Sequence, residues 1–191
     1  MTASSTRCCR SISCLAALFV LWLAPGAVAA ADGIQVRQAA LISAEDGYVL
    51  EADFEVTLTH TLQEALNKGV PLYFTLEFQL ERPRWYWYNA TLVNTRQESR
   101  LSYNALTRQY RVGLRTLYRN FPSLPEALEF LSRVRVREIA EPGALDKGGR
   151  YQAALRLRLD SSQLPMAFRV SAVGSREWII SSDWHRWTVS P

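Results

Sequence analysis

The chain has 191 residues, of which 48% are hydrophobic, and its 22 basic residues exceed its 18 acidic residues by a net charge of +4. This length suits one domain with a sizeable core. All three cysteines, Cys8, Cys9 and Cys14, lie near the N-terminus. The rest of the chain therefore has no disulfide, no thiolate metal site and no cysteine nucleophile.

The N-terminal segment has the pattern of a secretory signal peptide. Arg7 and Arg10 precede an apolar run of 12 residues, 12–23, and a tract of small residues follows as far as Ala31. The run is shorter than the roughly 20 residues of a spanning helix. We predict that residues 1–31 form a signal peptide and that residues 32–191 form a single mostly-β domain in the periplasm. The alternative is an uncleaved anchor in the inner membrane, formed by residues 12–30.

Charge is distributed unevenly along the predicted domain. Residues 32–81 carry two basic residues against nine carboxylates, whereas residues 82–191 carry 18 basic residues against nine carboxylates. Strands from the two parts that pair in one sheet would neutralise much of this difference. The alternative is a basic docking face for an anionic lipid or glycan.

Alternation of apolar and polar residues predicts the strands. The pattern is clearest over residues 48–58, 72–80 and 151–159, and Asp46-Gly47 before the first of these is typical of a hairpin turn. Further strands are expected near residues 34–42, 85–103, 110–115, 133–137, 168–172 and 178–189. The total is eight or nine strands, and Pro83 either ends the strand before the aromatic segment or marks a bulge in it.

Two segments follow helix-start patterns. Thr61 to Glu64 and Ser123 to Glu126 each have the capping-box spacing, and an apolar stripe follows both. Many strands joined by short connections, with only two short helices, favour an antiparallel β-sandwich or open barrel over a parallel sheet.

The most distinctive segment is Arg82-Pro83-Arg84-Trp85-Tyr86-Trp87-Tyr88-Asn89. As a strand, this segment would send its two tryptophans to one face and its two tyrosines to the other. One pair would then lie away from the main core. Large aromatic side chains beside arginines are typical of interaction surfaces.

We therefore predict a binding surface, called here the predicted patch. A buried location is the alternative for its tryptophans, because tryptophan is usually mostly buried. The predicted patch comprises Arg82, Arg84, Trp85, Tyr86, Trp87, Tyr88, Trp184 and Arg186.

Four separated motifs resemble a proteobacterial family of exported proteins, the domain of unknown function numbered 4390. They are Arg-Pro-Arg-Trp-Tyr-Trp at 82–87 and the segments 101–112, 157–165 and 181–184. The resemblance covers nearly the whole predicted domain and implies a location in the cell envelope. It supplies no catalytic residues. Members of this family are often encoded near a membrane sensor kinase. The resemblance therefore implies that the partner is an envelope protein, such as that kinase. An anionic glycan or lipid is the alternative, and export argues against nucleic acid.

Catalytic patterns are weak in this sequence. A zinc site without cysteine generally needs two or three histidines and a carboxylate. His60 and His185 are the two histidines and no ligand spacing unites them, so we predict no metal and no cofactor. A carbohydrate-active hydrolase remains the alternative to a binding domain. It would use paired carboxylates among Glu51, Asp53, Glu55, Glu77 and Glu81 beside Trp85 and Trp87.

Overall fold

The computed structural model describes residues 33–84, 86, 89–166, 168 and 176–190. Over this part of the chain it contains nine strands and two α-helices, which confirms the predicted mostly-β class. The strands are β1 Gly33–Ala44, β2 Gly47–Thr57, β3 Leu72–Arg82, β4 Ala90–Asn104, β5 Gln109–Leu114, β6 Leu117–Phe121, β7 Arg133–Ala140, β8 Tyr151–Leu159 and β9 His185–Val189. The helices are α1 His60–Asn67 and α2 Leu124–Ser132.

The strands form two antiparallel sheets. The smaller sheet has the order β1-β2-β7 and the larger has the order β6-β5-β4-β3-β8-β9. Strand β3 lies inside the larger sheet, where Glu77 is paired in register with Arg96 of β4 and Arg156 of β8. The register therefore brings a carboxylate of the acidic first part beside arginines of the basic second part.

Both sheets and both helices contribute to one hydrophobic core. Leu50 of β2, Phe74 of β3, Leu62 of α1 and Ala127 of α2 are all completely buried. Along β8 the buried residues alternate with more exposed ones over the whole strand. Because alternate side chains point to opposite faces of a sheet, the larger sheet has an inner face toward the core and an outer face away from it.

Both predicted helices are present, although the first begins earlier than predicted. Thr59, not Thr61, caps α1, and its Oγ1 accepts a hydrogen bond from the N–H of Leu62 at 3.3 Å. Thr61 lies inside the helix and donates its hydroxyl to Glu177 Oε2 at 2.6 Å. At α2 the predicted cap, Ser123, is confirmed. Ser123 Oγ accepts from the N–H of Glu126 and donates to its carboxylate at 2.7 Å.

The region around the aromatic segment differs from the strand prediction. β3 ends at Arg82, one of the two outcomes predicted from Pro83, but β4 begins only at Ala90 and then continues to Asn104 without interruption. Pro83, Arg84, Tyr86 and Asn89 therefore lie between strands. Near the C-terminus the last strand is β9 alone, after a short 3₁₀ helix at Arg176–Trp178. The strand predicted near residues 168–172 falls largely outside the described residues.

Over the part of the chain that the structure describes, no helix is both long enough and apolar enough for a membrane span.

Candidate binding face

The outer face of the larger sheet is rich in arginine. Five outer-face arginines lie on β4, β5 and β8, and a sixth lies on β9. Ladder pairing and alternation place all of them on the same side of the sheet. They are Arg96, Arg100, Arg111, Arg156, Arg158 and Arg186.

Three of these arginines lie over aromatic rings. The Cζ atom of Arg156 is 4.5 Å from the centroid of Trp184. Arg100 lies 5.7 Å from the ring of Tyr73, and Arg111 lies 5.9 Å from the ring of Tyr118. Such stacking holds a guanidinium group in place and leaves its N–H groups free to donate. Arg156 uses its Nε to bind Glu77, and Arg111 uses its Nε to bind Asn120.

Main-chain contacts with β8 fix the position of Trp184. The N–H of Ser182 donates to the carbonyl oxygen of Leu157 at 2.8 Å, and the N–H of Leu157 donates to Ser182 Oγ at 3.1 Å. These two bonds hold the segment before β9 against β8. Because Ser182 is buried, these bonds also hold Trp184 in place against Arg156. A cleft of about 230 Å³ lies beside it, against the start of β1.

A stacked tyrosine occupies the other end of the outer face. The ring of Tyr118 lies over Gly113, where an added Cβ would be only 2.8 Å from Tyr118 Cε1. Glycine therefore allows this ring to lie flat against the sheet. Arg111, which stacks on the same ring, also donates through Nε to Asn120 Oδ1 at 3.0 Å.

Glu77 is the central carboxylate of the outer face. Its side chain is only 6% exposed, although it lies among the polar residues that alternate with the buried ones along β3. Arg156 binds it through Nε at 3.1 Å and through Nη2, Arg158 lies at 3.3 Å, and Arg96 lies at 3.6 Å. Burial alone raises the pKa of Glu77, but hydrogen bonds and charge from Arg156, then Arg158, outweigh it and lower the pKa below 4.5.

This environment bears on the hydrolase alternative. A general acid requires a carboxyl group whose pKa is raised, and the pKa of Glu77 is lowered. Glu51 is paired with Arg135, and Glu55 with Arg37. Trp85 and Trp87 lie outside the described residues, so their position relative to these carboxylates is not part of the structure.

The predicted patch is divided between different surroundings. Arg82 donates to Tyr151 Oη at 2.7 Å and pairs with Asp146. Trp184 instead stacks with Arg156, and Arg186 lies opposite Ala154 on the outer face. The structure thus brings Trp184 and Arg186 to the outer face, whereas Arg82 contacts the buried Tyr151.

The other five members of the predicted patch come between Arg82 and Ala90 in the sequence. Arg84 and Tyr86 are exposed. Trp85, Trp87 and Tyr88 lie outside the described residues. The binding role of this segment stays a prediction.

Two larger clefts lie on other surfaces. One of about 570 Å³ separates the end of β2 from α2, and one of about 330 Å³ lies beside the β1–β2 turn. The second is lined by the ion pair of Glu51 and Arg135. Within the described ranges, no group of three His, Cys, Asp or Glu residues could hold a metal ion.

Several residues of the outer face were absent from the predicted patch. Arg96, Arg100, Arg111 and their aromatic partners Tyr73 and Tyr118 are separated in the sequence and meet only through strand register. Alternation in β4 and β8 was the available signal, because it placed their arginines on one face. It did not show which strands were neighbours.

Fold and face together define a two-sheet antiparallel β domain with an arginine-rich outer face. The chain belongs to the family described as Domain of unknown function (DUF4390), whose model matches residues 31–188. No curated protein and no solved structure matched the chain.

Proposed function

We propose that this chain is an exported, non-catalytic binding domain that recognises an acidic envelope protein through the outer face of its larger sheet. The observation that carries the proposal is the set of three stacked pairs, Arg156 on Trp184, Arg100 on Tyr73 and Arg111 on Tyr118. The N-terminal apolar run supports export to the periplasm.

The chemistry of the outer face favours an anionic protein partner. Its cations are all arginines, which bind carboxylates through two parallel hydrogen bonds. Glu98 lies exposed among them, and Asn94 and Gln79 supply neutral hydrogen-bonding groups. Mixed polar groups with arginine and aromatic residues are typical of protein interfaces. A membrane sensor kinase with an acidic surface is a partner of this kind.

Site-specific photocrosslinking tests the proposal. A photoreactive residue would replace Asn94, which is exposed on the outer face of β4. The matched control position is Gln38, exposed on β1 of the smaller sheet. In intact cells we expect one discrete protein adduct from position 94. When Arg156→Ser and Trp184→Ala are added to the protein with the photoreactive residue at position 94, that adduct should disappear.

Two results would overturn the proposal. One is the absence of any protein adduct from position 94. The other is an adduct that persists at full yield when Arg156 and Trp184 are both substituted. Thermal unfolding of each variant would first establish that it is folded, and Arg137→Ser on the other sheet would serve as the charge-loss control.

A further inference from the structure

Five of the outer-face arginines form a diagonal line across the larger sheet, called here the arginine track. It runs from β5 through β4 and β8 to β9, and each step follows from the ladder register. With strands about 4.8 Å apart and residues about 3.3 Å apart along a strand, successive Cα atoms are about 7–12 Å apart and the track is about 33 Å long. In order, its members are Arg111, Arg100, Arg158, Arg156 and Arg186.

The track carries more positive charge than its own face neutralises. Glu77 is already surrounded by Arg96, Arg156 and Arg158, which leaves two positive charges in excess at that position. Arg100, Arg111 and Arg186 are exposed. The exposed Glu98 of β4 offsets one of these charges, and the excess remains positive. A linear ligand with several negative charges would therefore complement the track.

We propose that the partner binds as an extended acidic peptide segment, with its carboxylates along the arginine track. Alternate residues of an extended chain project to the same side at intervals of about 7 Å, which matches three of the four steps in the track. This inference rests on the proposed binding function and specifies the element of the partner that is recognised.

The stacked aromatics favour a peptide over a glycan. Sugar rings bind proteins by lying on an open aromatic face. Here guanidinium groups lie over Tyr73, Tyr118 and Trp184, and Tyr118 is also packed against Gly113. The rings therefore position arginines, and the arginines contact the ligand. A fluid anionic membrane would need no defined length or spacing, so it would not account for a line of this kind.

Binding of decaglutamate to the purified full-length protein tests the inference directly. Ten extended residues span about 33 Å, the length of the track. By fluorescence anisotropy at low salt, we expect decaglutamate to bind at least tenfold more tightly than tetraglutamate. We expect Arg100→Ser, Arg111→Ser and Arg186→Ser together to weaken binding about tenfold, from three exposed contacts of about 0.5 kcal/mol each.

A matched triple variant controls for the loss of charge alone. Lys68→Ser, Arg137→Ser and Lys147→Ser remove three exposed positive charges outside the track. We expect these to change the affinity less than twofold. Thermal unfolding of both triple variants would show that each is folded before binding is compared.

Three outcomes would overturn the inference. The first is that decaglutamate does not bind. The second is that both triple variants weaken the binding of decaglutamate equally. The third is that the track arginines bind phosphatidylglycerol vesicles or polygalacturonate in preference to the peptide. If decaglutamate binding fails these tests but the adduct at position 94 still forms and still requires Arg156 and Trp184, only the extended acidic segment is rejected. The proposed function would then stand with a differently shaped partner.

Discussion

Replacing Glu77 by glutamine tests the organisation of the outer face. The substitution keeps the size of the side chain and removes the charge that Arg156, Arg158 and Arg96 share. Arginine donors would then face a neutral amide, with only one oxygen left to accept hydrogen bonds. The fold should remain, because β3 is also held by its inner apolar residues.

The expected cost follows from the exposure of the three arginines. The side chains of Arg156 and Arg158 are 30% and 32% exposed, so water replaces part of what they lose. Arg96 is 69% exposed and its contact adds little. A charged hydrogen bond contributes about 1.5–3 kcal/mol, and Glu77 accepts such bonds from two arginines, Arg156 and Arg158. After reduction of this sum for hydration, we expect the substitution to lower the free energy of unfolding by about 2–3 kcal/mol. At about 2–4 °C for each kcal/mol, Tm falls by about 4–12 °C.

Acid should diminish the difference between the two proteins. The pKa of Glu77 is below 4.5 in the folded state, so its stabilising contribution is present above that pH and is lost as the pH falls through the lowered pKa. Thermal unfolding between pH 3 and 7 would measure this. Glu98→Gln, an exposed carboxylate on the same face, is the control and should shift Tm very little.

A Tm for Glu77→Gln within 1 °C of the wild-type value at pH 7 would refute this reasoning. It would mean that the desolvation of Glu77 and its arginines cancels their attraction, as happens in some buried ion pairs. A difference that stayed constant down to pH 3 would also contradict it, because the charge of Glu77 would then not be its source.

Three further substitutions separate stability from binding. Gly113→Ala should displace the ring of Tyr118 and halve the affinity for decaglutamate, since an exposed cation–π contact contributes about 0.5 kcal/mol, while Tm changes little. Arg82→Met should lower the midpoint of urea unfolding, because it removes the hydrogen bond to Tyr151, and should leave that affinity unchanged. Ser123→Ala should cost about 1 kcal/mol in the same urea assay through loss of the α2 cap. An affinity lowered by Arg82→Met, a Gly113→Ala variant that binds normally, or a Ser123→Ala variant of wild-type stability would each contradict its prediction.

Local patterns in the sequence predicted much of the fold. The alternation over 72–80 and 151–159 identified two strands together with the faces that they bury. The uneven distribution of charge predicted cross-strand pairing, and the ion pairs of Arg135 with Glu51 and of Arg156 with Glu77 are pairs of this kind. These features depend on side chains a few residues apart or on total charge, which a sequence shows directly.

The location of the proposed binding face could not be obtained in the same way. Trp184 and Arg156 are 28 positions apart, and they meet because β9 and the segment before it lie beside β8. The burial of Glu77 has a similar origin, since arginines from two neighbouring strands cover it. Strand order decides such contacts, and alternation within one strand contains no information about its neighbours.

The start of α1 illustrates a competition between two local signals. Thr59 and Thr61 both precede the apolar stripe, and only Thr61 has a glutamate three residues later. The structure uses Thr59 as the cap, and both hydroxyls contact Glu177: Thr59 donates to its carbonyl oxygen at 2.8 Å and Thr61 to its carboxylate at 2.6 Å. The capping-box spacing at Thr61 therefore located the helix but not its first residue.

The division of the predicted patch determines how its function should be studied. Arg82 contacts Tyr151, whose ring belongs to the core, whereas Trp184 and Arg186 belong to the outer face. A variant that changes all the predicted residues at once would therefore combine a loss of stability with a loss of binding. Because period-two alternation separates the two faces of each strand, outer-face arginines other than those around Glu77 can be changed without altering core packing. Arg100, Arg111 and Arg186 are consequently the positions at which a binding defect would have one structural cause.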